Sequence, residues 1–270
     1  MSASVSVIIP FFQSQAVLHL AINGLLGLTV VNELSIEIVF VDDGSTDASF
    51  SVISDRVAAL EQKGFTVLVV RQNNKGPAAA RNYGIHKSTG DWISCLDVDD
   101  VWYQNRFEVL LNYFFDSECD LFCHAEKVRD LESGLVLGTN YYGAHFSVRG
   151  LMIRGNTLSP SSTVVRRSTI DRVGGFSERV DFIGVEDYDL WIKLAANKAQ
   201  LKICPEVLGE YSRHQSSLSF NYKFYDRVNN LLRQQMVNHE FTRWERMLIQ
   251  CQIGLNLIKK TVKRIRETWI

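Results

Sequence analysis

The feature that most constrains the fold is the alternation of short apolar runs with helical patterns along the N-terminal part of the chain. The runs that predict strands cover residues 5–9, 36–41, 67–70 and 92–96. A strand that is buried on both faces of a parallel sheet is apolar along its whole length, as these runs are. Helices between such strands cover both faces of the sheet. The sequence therefore predicts an α/β fold with a Rossmann-like, mostly parallel central sheet flanked by helices.

The helical patterns continue beyond this region. They cover residues 16–28, 48–62, 77–87 and 187–199, whereas residues 120–179 have poor periodicity and predict only strands and loops. From Trp244 to Trp269, apolar residues recur in steps of three and four, which predicts a long amphipathic C-terminal helix. We therefore expect a main domain over residues 1–220 and a C-terminal helical extension over residues 221–270.

Composition excludes several classes of protein. The 270 residues are 46% hydrophobic and 22% charged, which is typical of a folded globular chain. The 29 basic residues nearly balance the 30 acidic ones, so no global positive charge indicates nucleic acid as a partner. The five cysteines form no C-x-x-C pair and favour a reducing compartment. With no secretory signal and no bilayer-spanning apolar run, we expect a cytoplasmic protein, soluble or peripheral at the inner face of the membrane.

Acidic residues follow one of the predicted strands directly. After Leu96 come three carboxylates within four residues, those of Asp97, Asp99 and Asp100. Carboxylates this close repel one another unless a cation neutralises them, so the segment predicts a divalent metal site. Oxygen ligands favour Mg²⁺ or Mn²⁺. The alternative is a solvated acidic turn that caps a helix beginning near Val101.

A second acidic segment follows the strand at 36–41. Asp42 and Asp43 stand before a Gly44 turn, where a carboxylate can accept hydrogen bonds from a nucleoside in the crevice of the sheet. A helix cap explains the segment equally well. Because the carboxyl ends of parallel strands meet at one edge of a sheet, we expect both acidic segments at the same rim.

Two cations belong to the next strand–helix unit. Lys75 and Arg81 flank the start of the predicted helix at 77–87, on the same rim as the acids. Positive side chains beside a metal held by carboxylates suit a diphosphate. The alternative is an ordinary alanine-rich helix with a surface arginine.

Three acids open the predicted helix near residue 187. Glu186, Asp187 and Asp189 stand in its first turn, where one of them is a candidate general base beside the metal site. The alternative is that all three only interact with the positive end of the helix dipole.

Seven segments of the chain occur in the order and approximate spacing of one known family. They are IIPFF, FVDDGSTD, NNKGPAAARNYGI, TGDWISCLDVDD, VGGF, GVEDYDLWIKLA and YSRHQSSLS. In these segments, over about residues 4–220, the sequence resembles family 2 glycosyltransferases of the GT-A fold. The resemblance implies that residues 1–220 are the catalytic domain. It also implies inverting transfer of a hexosyl or N-acetylhexosaminyl group from a nucleotide-diphosphate sugar, specifically a UDP-sugar, to a saccharide or lipid-linked acceptor in cell-surface polysaccharide synthesis.

By position, the resemblance implies a role for six residues at the nucleotide. They are Pro10, Phe12, Asp42 and Asp43 around the nucleoside, and Lys75 and Arg81 near the base and phosphates. Gln13 departs from the family's usual asparagine, and Ser212 stands where an arginine is common. These departures bear on the identity of the donor.

The resemblance also implies the catalytic and metal-binding residues. Asp97 and Asp99 match the family's DxD motif, with Asp97 toward the ribose or metal and Asp99 as direct ligand of Mn²⁺ or Mg²⁺. Asp187 matches the catalytic base, and His214 matches a histidine that can reach the metal or the diphosphate. The alternatives are a catalytically inactive subunit that binds nucleotide sugars and a sugar-nucleotide nucleotidylyltransferase, although the glycine-rich first loop of the latter is missing after Ile9.

The C-terminal extension is basic. From residue 222 onward, ten Lys and Arg face four Asp and Glu, and several of the cations flank the apolar stripe of the terminal helix. Such a helix can lie on anionic lipid, or its stripe can pack on the catalytic domain or on a second subunit in a homodimer. The sequence leaves these alternatives open.

Overall fold

A nine-stranded sheet forms the centre of the described part of the chain. The structure is a computed structural model that describes residues 2–215, 217 and 221–268. Three residues of the YSRHQSSLS segment, Ser216, Leu218 and Ser219, lie outside the described residues, as does Trp269 of the predicted terminal stripe.

The N-terminal half alternates strands and helices. Its elements are β1 (Ala3–Phe11), α1 (Leu18–Gly27), β2 (Leu34–Asp42), α2 (Ser49–Ser54), α3 (Val57–Gln62), β3 (Thr66–Arg71), α4 (Pro77–Lys87) and β4 (Trp92–Cys95). The four predicted strands are all present. The helix predicted at 77–87 has the predicted bounds, because Pro77 opens its first turn and Ser88 ends it in an extended conformation.

The second half is less regular. Its elements are β5 (Val101–Trp102), α5 (Arg106–Phe114), β6 (Leu121–Asp130), β7 (Val136–Asn140), α6 (Val148–Arg154), β8 (Thr163–Arg166), α7 (Arg167–Val173), a 3₁₀ turn (Val180–Phe182), α8 (Glu186–Ala196), β9 (Leu201–Arg213), α9 (Phe224–Asn238) and α10 (Arg243–Thr268). None of the described helices has the length and apolar character needed to cross a membrane.

The order of strands in the sheet is β3-β2-β1-β4-β8-β6-β9-β5, with β7 paired to the far end of β6. The pairs among β1 to β4 are parallel, because a helix returns the chain to the same end of the sheet before each new strand. Strand β8 then enters antiparallel between β4 and β6, and β9 pairs parallel with β6. The α/β class with flanking helices is confirmed. The sheet is mixed rather than mostly parallel, with parallel pairs among β1 to β4 and between β6 and β9 and antiparallel pairs elsewhere.

Alternate residues of the central strands enter two cores on opposite faces of the sheet. In β1, Val7 and Ile9 pack in one core with α1 and α5, whereas Ile8 packs in the other with α4, α8 and the C-terminal helices. Both faces of these strands are therefore covered. This explains the continuous apolar runs in the sequence.

Two sequence predictions of local structure were wrong, and one alternative, a helix beginning near Val101, is not observed. The single helix predicted at 48–62 is two helices, because the chain tightens at Arg56, whose N–H bonds to the carbonyl of Ile53 three residues earlier. The segment after Asp100 forms β5 rather than a helix near Val101, because it pairs antiparallel with β9. The region 120–179 contains α6 and α7 besides its strands.

The C-terminal helices pack on the second core. Leu231 and Leu232 of α9 and Ile249 and Ile253 of α10 are buried there together with Trp191 of α8. Polar contacts join these helices to the rest of the molecule, from Gln235 to Asp189 at 2.7 Å and from Glu245 to Arg149 at 2.5 Å. A hydrogen bond from Asn256 to Asn229 at 3.0 Å joins α10 to α9. One side of each helix is thus part of the folded body.

Candidate active site

A cavity of about 1130 Å³ lies at the carboxyl ends of β1, β2 and β4, where the acidic segments were expected. Eight of the predicted site residues line it: Pro10, Phe12, Asp43, Arg81, Asp97, Asp99, Asp187 and His214. The sheet brings the first six to one rim, and the return of the chain through α8 and β9 adds the last two. Residues far apart in the sequence therefore share one site.

The loop after β1 forms one end of this cavity. Phe12 is 45% exposed there, and Gln13 follows it with a positive φ of 49°. The Gln13 side chain donates to the Thr46 hydroxyl at 2.9 Å and accepts from the backbone N–H groups of Thr46 and Asp47. Gln13 thus connects the loop that carries Phe12 to the loop after β2.

Asp43 joins two loops at the same end of the cavity. Its carboxylate accepts hydrogen bonds from the backbone N–H groups of Lys75 at 2.9 Å and Gly76 at 2.8 Å, and from Gln72 at 2.8 Å. Gly76 has a φ of 89°, a conformation that favours glycine, and it lets the chain turn into α4. Asp43 therefore holds the start of α4 against the end of β2.

Asp42 and Lys75 were predicted at the nucleotide, but neither is among the residues that line the cavity. Asp42 is fully buried, accepts a hydrogen bond from the Ser45 N–H at 2.7 Å and pairs with Arg71 at 3.2 Å, so it stabilises the turn. The exposed Lys75 is bound through its backbone N–H alone among the contacts that the structure describes for it. Successive side chains at the end of a strand point in opposite directions, so Asp42 points into the protein and Asp43 points toward the cavity.

Arg81 was predicted near the base and phosphates, and the structure places it on the wall of the cavity with its side chain buried. Its side chain is 6% exposed and bridges two carboxylates, those of Asp97 and Glu186, each at 2.7 Å. Burial alone would lower the pKa of Arg81, but the two carboxylates outweigh it and raise the pKa above its ordinary value. The charge of Arg81 is thus already compensated within the protein.

The acids after β4 have different environments. Asp97 and Asp99 are partly exposed on the cavity wall, and Asp99 lies 2.7 Å from the Nε2 of His214. This hydrogen bond to Asp99 raises the pKa of His214. Asp100 points away and is buried, where it accepts from the Ser161 hydroxyl at 2.6 Å and from the Ser212 N–H at 2.7 Å. Burial, then the charge of Asp99, raises the pKa of Asp100.

The donor set at this point suits a hard divalent cation. Within the described residues, no group of three or more His, Cys, Asp and Glu side chains is arranged to hold a metal by itself. Asp99 and His214 nevertheless converge, with Asp97 beside them on the same cavity wall. Mg²⁺ and Mn²⁺ in phosphate-transferring sites commonly take one or two carboxylates and complete their shell with substrate phosphates and water. The residues present therefore fit such an ion.

Asp187 lies in the first turn of α8, partly exposed to the cavity. Its carboxylate accepts a hydrogen bond from the Asn156 amide at 2.9 Å. Burial, and then the neighbouring charge of Glu186, raise the pKa of Asp187 to about 7, against the opposing effects of Arg81 and Asn156. A carboxylate with a pKa near neutrality can take up a proton during a reaction.

The other two acids of this segment are structural. Glu186 is buried and bound to Arg81, and Asp189 is buried beside Gln235 at 2.7 Å and Lys193 at 3.0 Å. The simple interpretation as partners of the helix dipole therefore misses their specific contacts. Of the three, Asp187 is the one that is partly exposed, and its carboxylate pairs with the cavity residue Asn156.

Sequence reasoning missed the far wall of the cavity. This wall comes from the segments before and after α6 and from the C-terminal helices, and includes Tyr142, Asn156, Tyr225, Gln252, Asn256 and Lys259. Asn156 lies in the poorly patterned region, where no periodic signal marks it. Glu186 could have been found, because its place beside the predicted base makes it a natural counter-charge for Arg81.

Comparison with known proteins identifies related chains. The model of glycosyl transferase family 2 matches residues 6–160, and that of glycosyltransferase-like family 2 matches residues 146–242. The chain is 25% identical over 232 residues to an Escherichia coli protein named UDP-Glc:alpha-D-GlcNAc-diphosphoundecaprenol beta-1,3-glucosyltransferase WfaP, with 85% of each chain covered. Glycosyltransferases from Rickettsia conorii and Rickettsia felis are longer, and the chain matches them at 28% and 29% identity over 30% and 31% of their length. A glycosyltransferase from Haemophilus influenzae is 34% identical over 113 residues, which are 42% of this chain and 43% of that one.

Solved structures share the fold. The structure of residues 1–349 of S. aureus TarS in complex with UDP-GlcNAc superposes with a TM-score of 0.70 at 18% identity, covering 95% of this chain and 72% of that one. The mannosyltransferase PcManGT from Pyrobaculum calidifontis, in complex with GDP-Man and Mn²⁺, superposes with a TM-score of 0.69 at 15% identity, covering 97% and 74%. At these identities the likeness concerns the fold.

Proposed function

The chain belongs to glycosyl transferase family 2, and from this premise we propose that it is an inverting glycosyltransferase that uses a UDP-sugar. The transferred group is a hexosyl or N-acetylhexosaminyl group. The acceptor is a saccharide or a lipid-linked acceptor in the synthesis of a cell-surface polysaccharide. The observation that carries the proposal is the meeting of Asp97, Asp99 and Asp187 in one cavity with Pro10 and Phe12. The donor and acceptor in the name of WfaP, and the UDP-GlcNAc bound to TarS, support this choice of substrates.

The β1 end of the cavity suits the nucleoside. Phe12 offers an exposed aromatic face for stacking on a base, and Pro10 continues that apolar surface. Asp43 keeps the neighbouring loop in place through the N–H groups of Lys75 and Gly76. Asp97 retains one carboxylate oxygen beyond its contact with Arg81, which can accept a hydrogen bond from a ribose hydroxyl.

Asp187 is the proposed general base. An acceptor hydroxyl attacks the anomeric carbon on the face opposite the leaving nucleoside diphosphate, so the configuration inverts. The hydroxyl proton passes to a carboxylate oxygen of Asp187, and the Asn156 amide holds that carboxylate in place at 2.9 Å. A base positioned in this way contributes about 10²- to 10⁴-fold in rate.

Asp99 and His214, with Asp97 beside them, would hold Mn²⁺ or Mg²⁺. The ion supplies positive charge that neutralises the diphosphate and stabilises the leaving oxygen. Arg81 orients the Asp97 carboxylate through its contact with one carboxylate oxygen at 2.7 Å.

The opposite wall suits a saccharide acceptor. Its residues combine aromatic rings with amide and amino groups, for example Tyr225, Gln252, Asn256 and Lys259. Such surfaces stack on sugar rings and hydrogen-bond to their hydroxyl groups. We therefore place the acceptor between Asp187 and the C-terminal helices.

The activity should depend on pH through Asp187. Its pKa is raised to about 7, so the carboxyl is protonated below that pH and cannot accept the acceptor's proton. We expect kcat/KM to rise as the pH increases through about 7 and then to level off. The measurement is a pH profile of UDP release at saturating donor.

The variant Asn156→Ala sharpens this test. The Asn156 amide lowers the pKa of Asp187, so its loss should move the acidic limb of the profile to higher pH. A profile that is flat across this range, or a limb that does not move in the variant, would contradict the assignment of Asp187 as the base.

The metal site predicts a metal-dependent donor complex. In a thermal-shift panel of nucleotide sugars, we expect UDP-sugars to stabilise the protein more strongly with Mn²⁺ than without it. A ligand at a hundred times its Kd stabilises by about 2.7 kcal/mol. In Asp99→Ala the Mn²⁺-dependent part of the shift should disappear, whereas Glu61→Ala, an exposed acid on α3, should behave as the wild type.

Two outcomes would contradict this reading of the site. Full activity in EDTA would exclude a metal mechanism, and equal shifts in wild type and Asp99→Ala would remove Asp99 from the ligand set. Binding of UDP-sugars without any UDP release in the presence of saccharide acceptors would favour the alternative of an inactive nucleotide-sugar-binding subunit.

A further inference from the structure

Helix α10 presents a regular apolar stripe on the side that faces away from the core. The stripe follows steps of four and three residues and consists of Trp244, Leu248, Cys251, Leu255, Ile258 and Val262. Trp244 is 65% exposed, Leu255 51%, Ile258 62% and Val262 47%. We call these six residues the outer stripe. They are distinct from Ile249 and Ile253, which bury the inner side of the same helix.

The C-terminal half of α10 is also strongly basic. Over residues 255–264 it carries Lys259, Lys260, Lys263 and Arg264 and no acidic residue. Lys260 pairs with Asp226 of α9 at 2.7 Å, and Lys259 stands at the cavity. The outer stripe therefore runs through a region of positive charge.

This charge distribution distinguishes between two possible occupants of the outer stripe. The spacing alone would also suit a coiled-coil contact with a second copy. In a parallel pair, however, the basic half of each helix would meet its own copy. In an antiparallel pair it would meet the first turn, where Arg243 and Arg246 outnumber Glu245. Both arrangements bring like charges together, whereas an anionic surface complements them.

We propose that the outer stripe of α10 binds an anionic lipid surface, with the helix lying in the plane of the membrane interface. A large apolar face, basic neighbours and too little apolar length to cross a bilayer are the properties of such interfacial helices. Leu255 and Ile258 enter the apolar boundary, and the positive charge of this half of the helix attracts the anionic headgroups.

The same helix also forms part of the cavity wall. Gln252, Asn256 and Lys259 face the cavity, and Lys259 directly follows Ile258 of the outer stripe. A helix seated on lipid therefore holds the acceptor side of the cavity next to the surface. This orientation delivers a lipid-linked acceptor to Asp187. That last step depends on the proposed function, but the binding to lipid does not.

The test is cosedimentation with vesicles, which requires no enzymatic activity. The full chain is mixed with vesicles of equal parts phosphatidylglycerol and phosphatidylcholine, or of phosphatidylcholine alone. We expect binding to the anionic vesicles, weakened by salt, and at least about tenfold weaker binding of Ile258→Glu/Val262→Glu. Both positions are exposed, so the fold should persist, and an unchanged melting temperature in the absence of ligand verifies this. Truncation before α9 is avoided because it would uncover the second core.

The matched control is Leu257→Glu. Leu257 lies on the same helix, is 45% exposed and stands outside the outer stripe, so Leu257→Glu is compared with the single variant Ile258→Glu, which gains the same charge. Leu257→Glu should retain most of the binding. Failure of the wild type to bind anionic vesicles, or equal binding by the double variant, would overturn the proposal. So would light scattering that shows a dimer which Ile258→Glu/Val262→Glu dissociates, because the outer stripe would then join two copies.

Discussion

Asp187→Asn is expected to lower the rate of sugar transfer by about 10²- to 10⁴-fold while donor binding stays intact. The amide keeps the shape of the side chain on the cavity wall but cannot take up the acceptor's proton. Asp187 also contacts none of Asp97, Asp99 and His214 by a described hydrogen bond, so the donor site should be unaffected. Single-turnover UDP release measures the rate, and the thermal shift with a UDP-sugar measures donor binding.

Asp181→Asn is the matched control for this variant. Asp181 is an exposed acid shortly before α8, paired with Arg179 at 2.8 Å, and is not among the cavity residues. Its substitution should leave transfer unchanged. If Asp187→Asn turned over at the rate of the wild type, another group would have to accept the proton, and the proposed mechanism would be wrong.

Arg81→Met should destabilise the fold by about 3–5 kcal/mol, because it leaves buried carboxylates without their counter-charge. Glu186 is 5% exposed and Asp97 31% exposed at the side chain, and Arg81 binds both. Arg81→Lys should lose less stability, because an ammonium group keeps the positive charge but cannot contact both carboxylates as the guanidinium group does. The free energy of unfolding from urea titration provides the measurement.

A double-mutant cycle measures the interaction energy between Arg81 and Glu186. Removing the buried acid as well, in Arg81→Met/Glu186→Gln, should recover part of the lost stability, because no unpaired charge then remains at Glu186. If the changes in the free energy of unfolding were strictly additive, Arg81 and Glu186 would not interact in solution. The bridging role of Arg81 would then be wrong.

The N-terminal half of the fold could be predicted because its signals are local. Strands β1 and β2 are apolar on both faces, and Pro77 marks the start of α4. Strand β8 shows the opposite case. It is central in the sheet, between β4 and β6, yet has only four residues, Thr163–Arg166, and so no periodicity. Its position depends on pairing with strands distant in sequence, which a local pattern does not reveal.

The site was predictable to a similar degree. The approach of Asp97, Asp99 and Asp43 follows from the geometry of parallel strands, whose carboxyl ends share one edge. The inward direction of Asp42 and the burial of Arg81 depend on side-chain packing. The sequence alone suggests a surface cation at Arg81, because its partner Glu186 lies 105 positions further along the chain. Asn156 gave no signal of any kind.

Four of the five cysteines are buried, whereas Cys251 is exposed on α10 within the outer stripe. Burial also raises the pKa of Cys95 and of Cys123 to about 12, which suppresses their reactive thiolate form at neutral pH. A maleimide fluorophore sensitive to polarity should therefore label the native chain at Cys251 without any engineered residue. Its emission would then report directly, in solution and in real time, whether this side of the helix meets water or hydrocarbon.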